Sequence, residues 1–156
     1  MAKLSAGLLL HRNTSAGTEV LLVHPGGPLW AKRRGDGTWS IPKGEPVPQE
    51  SGDPLAAAER EFAEELGVPA PPGARLPLGE VVQSGGKHVL AWAVEGDLDP
   101  GALSSNRFEM EWPPRSGSLR SFPEVDEARW VPLPEARRLV VPAQTAFIDR
   151  LIALCT

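Results

Sequence analysis

The chain has 156 residues, of which 41% are apolar and 23% charged, and its net charge is −4. That is the size and make-up of one ordinary globular domain, long enough to bury a core and too apolar for wholesale disorder. No apolar run approaches the roughly 20 residues that cross a bilayer, and the negative balance argues against a non-specific grip on nucleic-acid phosphates.

A small anionic ligand stays open, because metal ions can hold it. Cys155 is the only cysteine, so no internal disulfide and no multi-cysteine zinc site can form. Its place at the end of an apolar helix points to packing or exposure at the tail, not to a nucleophile. A reducing, cytoplasmic setting is the expectation. The 17 prolines and 16 glycines amount to about twice the usual proline share. They fall between the apolar stretches, so residues 1–156 read as one domain with many turns.

In chain order, Ser5–His11 and Thr18–His24 are short Leu- and Val-rich runs that predict a β-hairpin across the polar Arg12–Gly17. The first run ends in His11-Arg12 without a small-residue cleavage pattern, so it reads as a strand and not a signal peptide. Pro25-Gly26-Gly27-Pro28 stops the second strand. A basic loop with Lys32, Arg33 and Arg34 follows, and then Trp39-Ser40-Ile41 as a short strand.

Asp53 as N-cap, Pro54 at the first helical position and Gly67 as the terminating glycine delimit a helix. Leu78–Gln83 and His88–Glu95 read as strands around a Gly85-Gly86 turn, and Arg107–Trp112 and Ala128–Val131 as further short strands. Leu133–Leu139 predicts a short helix, and Phe147, Leu151 and Leu154 give Pro142–Leu154 an amphipathic helical period. Strands, helix, strands, helix is the order of a mixed α/β or α+β layer fold.

Glu61, Glu64 and Glu65 stand at i, i+3 and i+4 and so share one face of the 54–66 helix. Leu55, Ala58, Phe62 and Leu66 share another, the core stripe. Crowded carboxylates repel one another, and a hard divalent cation with oxygen ligands removes that repulsion. A solvated glutamate face is the ordinary alternative for such a helix.

The stretch Gly44, Glu50 and Arg60-Glu61-Phe62-Ala63-Glu64-Glu65-Leu66-Gly67-Val68 resembles the Nudix box, the loop–helix–loop signature of the Nudix hydrolases. Every specified position is matched. One spacing departs: nine residues, not seven, separate Glu50 from Arg60, with the extra pair placed in Ser51-Gly52 before the helix. Loops tolerate such insertions, so the helix geometry is expected to survive and the position of Glu50 is what the insertion bears on. Trp39-Ser40-Ile41-Pro42-Lys43-Gly44 and the region from Phe122-Pro123-Glu124-Val125 to Leu133 also look like family flanks.

The resemblance implies a Nudix-like α/β/α sandwich with a mixed central sheet. It implies a Mg²⁺-dependent pyrophosphohydrolase, with Mn²⁺ as the substitute ion, cleaving a nucleoside triphosphate, dinucleoside polyphosphate or related nucleoside diphosphate derivative. Glu61, Glu64 and Glu65 would be metal ligands, with the Gly44 carbonyl as a further one. Arg60 would hold a carboxylate such as Glu50.

Lys43 is a candidate phosphate contact, and Lys32, Arg33 and Arg34 a candidate polyphosphate grip or else a solvated turn. The family has no fixed position for the general base, so Glu124, Glu64 and Glu65 all stand as candidates. Trp30 and Trp39 could stack on a base, though core packing is the commoner use of such residues. His11, His24 and His88 read as ordinary strand residues. Glu109 and Glu111 read as surface residues or spare ligands. Many relatives dimerise, so a homodimer is left open. The competing reading is a nucleotide-binding or sensing module without turnover.

Overall fold

The computed structural model describes residues 3–155. Its centre is a six-stranded mixed sheet built from β1 (Leu4–Thr14), β2 (Gly17–Pro25), β3 (Lys43–Gly44), β4 (Leu76–Val82), β5 (His88–Glu95) and β8 (Val125–Pro132). The strand order is β4-β5-β1-β2-β8, with β3 laid against β1. The β1–β5 pair is parallel, from Leu4↔His88 to His11↔Glu95, and the other pairs are antiparallel. Two further strands, β6 (Arg107–Glu111) and β7 (Leu119–Pro123), form a separate antiparallel ribbon.

Helix α1 (Pro54–Leu66) covers one face of the sheet, packing Ala57, Ala58, Phe62 and Leu66 with Leu8, Leu10, Leu21 and Val23. Helices α2 (Leu133–Leu139) and α3 (Thr145–Cys155) cover the other, where Phe147, Ile148 and Leu151 pack with Leu9, Val20, Leu22 and Trp39. The two-sided covering explains the unbroken Leu8-Leu9-Leu10 run, because a strand buried on both faces needs apolar residues at every position. The result is the expected α/β/α sandwich. Fully burying a side chain the size of Phe62 contributes about 2–3 kcal/mol.

Helix α1 is bounded as its sequence predicts. Asp53 Oδ1 accepts from the Ala56 N–H at 3.1 Å, Pro54 opens the first turn, and Gly67 at φ 81° donates its N–H to the Ala63 carbonyl at 2.7 Å. Elsewhere the chain departs from expectation. The hairpin arms run past Arg12 into a two-residue turn, with Thr14↔Gly17 as the last pair. Cross-strand pairing of polar side chains carries that extension: Arg12 with Glu19 at 2.9 Å and the Thr18 hydroxyl with Asn13 at 2.8 Å.

Trp39-Ser40-Ile41 is not a strand of the sheet. Ser40 and Trp39 make isolated bridges to Val23 and Val140, and the regular pairing falls on Lys43–Gly44. Strand β7 was not expected, since its exposed Leu119-Arg120-Ser121 lacks apolar alternation. Strand β8 begins at Val125 instead of Ala128, and the last helix begins at Thr145 after a 3₁₀ turn over Pro142–Gln144. Among the described residues no helix is long and apolar enough to cross a membrane.

Candidate active site

The site forms where β3, α1 and the β7–β8 turn meet. Strand β3 lies against Ala6 and Gly7 of β1, which sets Gly44 beneath the inner face of α1. Gly44 leaves the Glu61 carboxylate its present place: a Cβ there would stand 2.0 Å from that carboxyl carbon. Any side chain at the signature glycine would therefore push the end of Glu61 out of the cluster. Glu124 sits in the bend between β7 and β8, and its N–H donates to the Asn106 carbonyl at 2.8 Å.

Glu61, Glu65 and Glu124 converge, each offering a carboxylate oxygen within 4.8 Å of the other two. Glu65 and Glu124 line a cavity of about 170 Å³ together with Lys43, Ser40, Ile41, Val23, Pro25 and Val125. Burial raises the pKa of all three carboxyls above the ordinary carboxylate range. Glu65 is the extreme case. Burial, abetted by the charges of Glu61 and Glu124, pushes it up to about 8 against the pull of Lys43. The Lys43 ammonium is lowered in turn by its own burial and by Lys87, with Glu65, Glu61 and Glu45 opposing. Burial thus presses the three carboxyls toward their neutral form, while their oxygens gather within 4.8 Å of one another. Hard oxygen donors gathered in this way, whose charged form a cation would restore, fit a divalent ion of the Mg²⁺ or Mn²⁺ type.

Arg60 organises the outer side of the cluster. Its Nε and Nη2 donate to the two Glu50 oxygens at 2.9 and 3.1 Å, and Nη2 also donates to the Glu45 carbonyl at 3.0 Å. Nη1 serves Glu61 Oε1 at 2.9 Å and Glu64 Oε2. These bonds hold the Glu50 carboxyl below the usual range. The two-residue insertion lies in an exposed turn at Ser51-Gly52, and Glu50 still reaches Arg60.

Of the three helix glutamates, Glu61 and Glu65 face Glu124, whereas Glu64 turns to Arg60 and to Asn106, whose Nδ2 donates to Glu64 Oε1 at 3.1 Å. Lys32 and Arg33 are exposed and do not line the cavity, and the Arg33 guanidinium stands 5.8 Å from the Trp30 ring. Arg34 is paired with Asp126 at 2.8 Å and Glu127 at 3.0 Å. Trp39 is fully buried core, while Trp30 is half-buried. Glu109 and Glu111 are exposed, and the Glu111 carboxylate accepts from the N–H groups of Arg115 and Gly117 in its own turn.

Two partners were invisible to sequence reasoning. Asn106 reaches Glu64 from 42 positions away. His24, fully buried, meets Asp126 Oδ1 at 2.9 Å through Nδ1 and the Arg33 carbonyl at 2.6 Å through Nε2. Neither pairing leaves a local spacing signal.

The family model for the NUDIX domain matches residues 1–151. No curated protein matches the chain. A Caenorhabditis elegans Ap4A hydrolase, solved as a binary complex, superposes with a TM-score of 0.68 at 20% identity, covering 97% of each chain. The NUDIX domain of Shewanella oneidensis NrtR in complex with ADP ribose gives 0.66 at 16% identity, over all of this chain and 90% of that one. RenU, a Nudix hydrolase from Mycobacterium smegmatis, gives 0.55 at 26% identity, over 97% of this chain and 84% of the other. The first two likenesses speak to the fold alone. The match of nearly the whole chain to the family model, over a box whose glycine, glutamates and arginine meet in space, places this chain in the NUDIX family, the Nudix hydrolases of phosphoanhydrides.

Proposed function

We propose that the chain is a divalent-cation-dependent pyrophosphohydrolase that cleaves a nucleoside triphosphate, a dinucleoside polyphosphate or a related nucleoside diphosphate derivative by attack of water at phosphorus. The observation that carries this reading is the convergence of Glu61, Glu65 and Glu124 within 4.8 Å beside a cavity that also holds Lys43. Glu61, Glu64 and Glu65 would hold the cation together with the Gly44 carbonyl, while Glu124 faces them from the bend between β7 and β8; Mg²⁺ is the favoured ion and Mn²⁺ the substitute. A bound cation of this kind neutralises phosphate charge and lowers the pKa of water.

The rest of the work falls to the chain. Lys43 offers an ammonium to a phosphate oxygen entering the cavity. Glu124, whose carboxyl is raised by burial and by the charge of Glu64, is suited to take the proton of the attacking water at a carboxylate oxygen. Arg60 fixes Glu61 and Glu64 with three carboxylates on one guanidinium, so the acidic groups are set before substrate arrives. Lys32 and Arg33 stand outside the cavity, where a long polyphosphate tail or a second nucleotide could reach them. The Ap4A hydrolase and the ADP-ribose complex among the similar structures favour nucleotides bridged through pyrophosphate as the class to try first.

Incubation with Mg²⁺ and a panel of nucleoside triphosphates, diadenosine polyphosphates and nucleotide sugars, with products resolved by chromatography, tests the proposal. Release of a mononucleotide from one of these supports it. A second reading, a nucleotide sensor without turnover, draws on the ion pairs that Arg60 makes with Glu61 and Glu64. Tight nucleotide binding with no product in either Mg²⁺ or Mn²⁺ would favour it.

A further inference from the structure

Asn106 occupies an unusual position between two acidic groups of the site. Its N–H donates to the Glu64 carbonyl in the last turn of α1 at 2.8 Å, and its carbonyl accepts from the Glu124 N–H at 2.8 Å. The neighbouring Ser104 N–H caps the Leu66 carbonyl at 3.2 Å, and Ser105 Oγ accepts from the Val125 N–H at 3.0 Å. Segment 104–106 is thus a brace from the C-terminal end of α1 to the start of β8. It satisfies helix carbonyls that have no partner within the helix.

The side chain adds a contact that bracing does not need. Asn106 Nδ2 donates to Glu64 Oε1 at 3.1 Å, while Glu64 Oε2 is taken by Arg60 Nη1. Both Glu64 oxygens are therefore engaged, from opposite sides. The Arg60 nitrogen is shared, because the same Nη1 also donates to Glu61 Oε1. Without the amide, Arg60 is the one side-chain hydrogen-bond partner left to Glu64 among the described residues, and any shift of Glu64 competes with Glu61 for one nitrogen.

We propose that Asn106 is a positioning residue: its amide sets the orientation of Glu64, and through the shared Arg60 that of Glu61, for capture of a divalent cation. The inference rests on the functional reading above and deepens it. Partners one shell out from a metal ligand typically govern affinity by about 10- to 100-fold.

The test is titration of the whole protein with Mn²⁺ by calorimetry or electron spin resonance, in parallel with the Mg²⁺ dependence of hydrolysis. Asn106→Ala should weaken Mn²⁺ binding about tenfold or more. It should also raise the Mg²⁺ needed for half-maximal rate by a similar factor, with the rate recovering at high Mg²⁺ and the melting temperature nearly unchanged. Asn106→Gln keeps an amide donor at an exposed position, and it should recover most of the affinity.

Equal Mn²⁺ affinity in wild type and Asn106→Ala overturns the inference while leaving the functional reading intact. Equal losses in the Ala and Gln variants, accompanied by a lowered melting temperature, assign Asn106 to bracing alone and overturn it too. A wild type that binds no Mn²⁺ and hydrolyses nothing removes the functional reading itself.

Discussion

Replacing Glu65 with glutamine should make the metal-free protein more stable while destroying its activity. The reasoning begins with burial. Burial pushes the Glu65 carboxyl up to about 8 in the folded chain from an ordinary 4.5, so at neutral pH it must take up a proton on folding. Carrying that proton at pH 7 costs about 3 kcal/mol relative to a carboxyl that titrates normally. Glutamine has nearly the same shape and no charge to desolvate, so it recovers most of that cost even after losing its attraction to Lys43.

The sign fixes a pH signature. The folded state binds more protons than the unfolded state between about pH 4.5 and 8, so wild-type stability falls as pH rises through that window. Thermal melts in a chelator should show this slope for wild type and a flatter one for Glu65→Gln. The variant should melt several degrees higher near neutral pH, at roughly 2–4 °C per kcal/mol for a chain of this size. Excess Mg²⁺ should stabilise wild type and leave the variant almost unmoved. A variant that melts lower than wild type at both ends of the window, or that still gains from Mg²⁺ as wild type does, would refute the reasoning.

Glu64→Gln and Glu65→Gln should each lower turnover by orders of magnitude with the far-ultraviolet spectrum unchanged, measured on the best substrate of the panel. Gly44→Ala puts a methyl group 2.0 Å from the Glu61 carboxyl carbon, and displacing a site carboxylate by about 1 Å should cost about 100-fold in rate. Gln144, fully buried, accepts from the Ile41 N–H at 3.0 Å and donates to Ser40 Oγ and Gln83. Gln144→Ala should therefore lower unfolding stability by about 1–3 kcal/mol in urea titrations, because it strands a buried donor.

Much of the site was legible because its residues are local. Gly44, Arg60, Glu61 and Glu65 lie within one loop and one helix, and helical spacing alone puts the carboxylates on a common face. Periodicity could not show how that face divides. Glu61 and Glu65 turn inward to Glu124, and Glu64 is drawn aside by Arg60 and Asn106. That division depends on which donors the fold brings up from remote strands. The same holds for strand β7, whose exposed residues carry no alternation, and for Trp39-Ser40-Ile41, whose apolar ends are buried in the core beside α2 and α3 and not by a sheet ladder. The hairpin was underextended because its outer rungs are held by polar pairs that read as loop. Apolar pattern finds what is buried, and it is silent on pairing between exposed side chains.

The β6–β7 ribbon stands apart from the six-stranded sheet, yet it leads directly into Glu124. Phe108 of that ribbon closes on Gly27, where a methyl group would come within 2.8 Å of the ring. The base of the ribbon therefore delivers Glu124 to the acidic cluster, and the Asn106 contacts fasten that base to the end of the helix bearing Glu61 and Glu65, so that sheet, ribbon and helix must all be in place before the three carboxylates can meet.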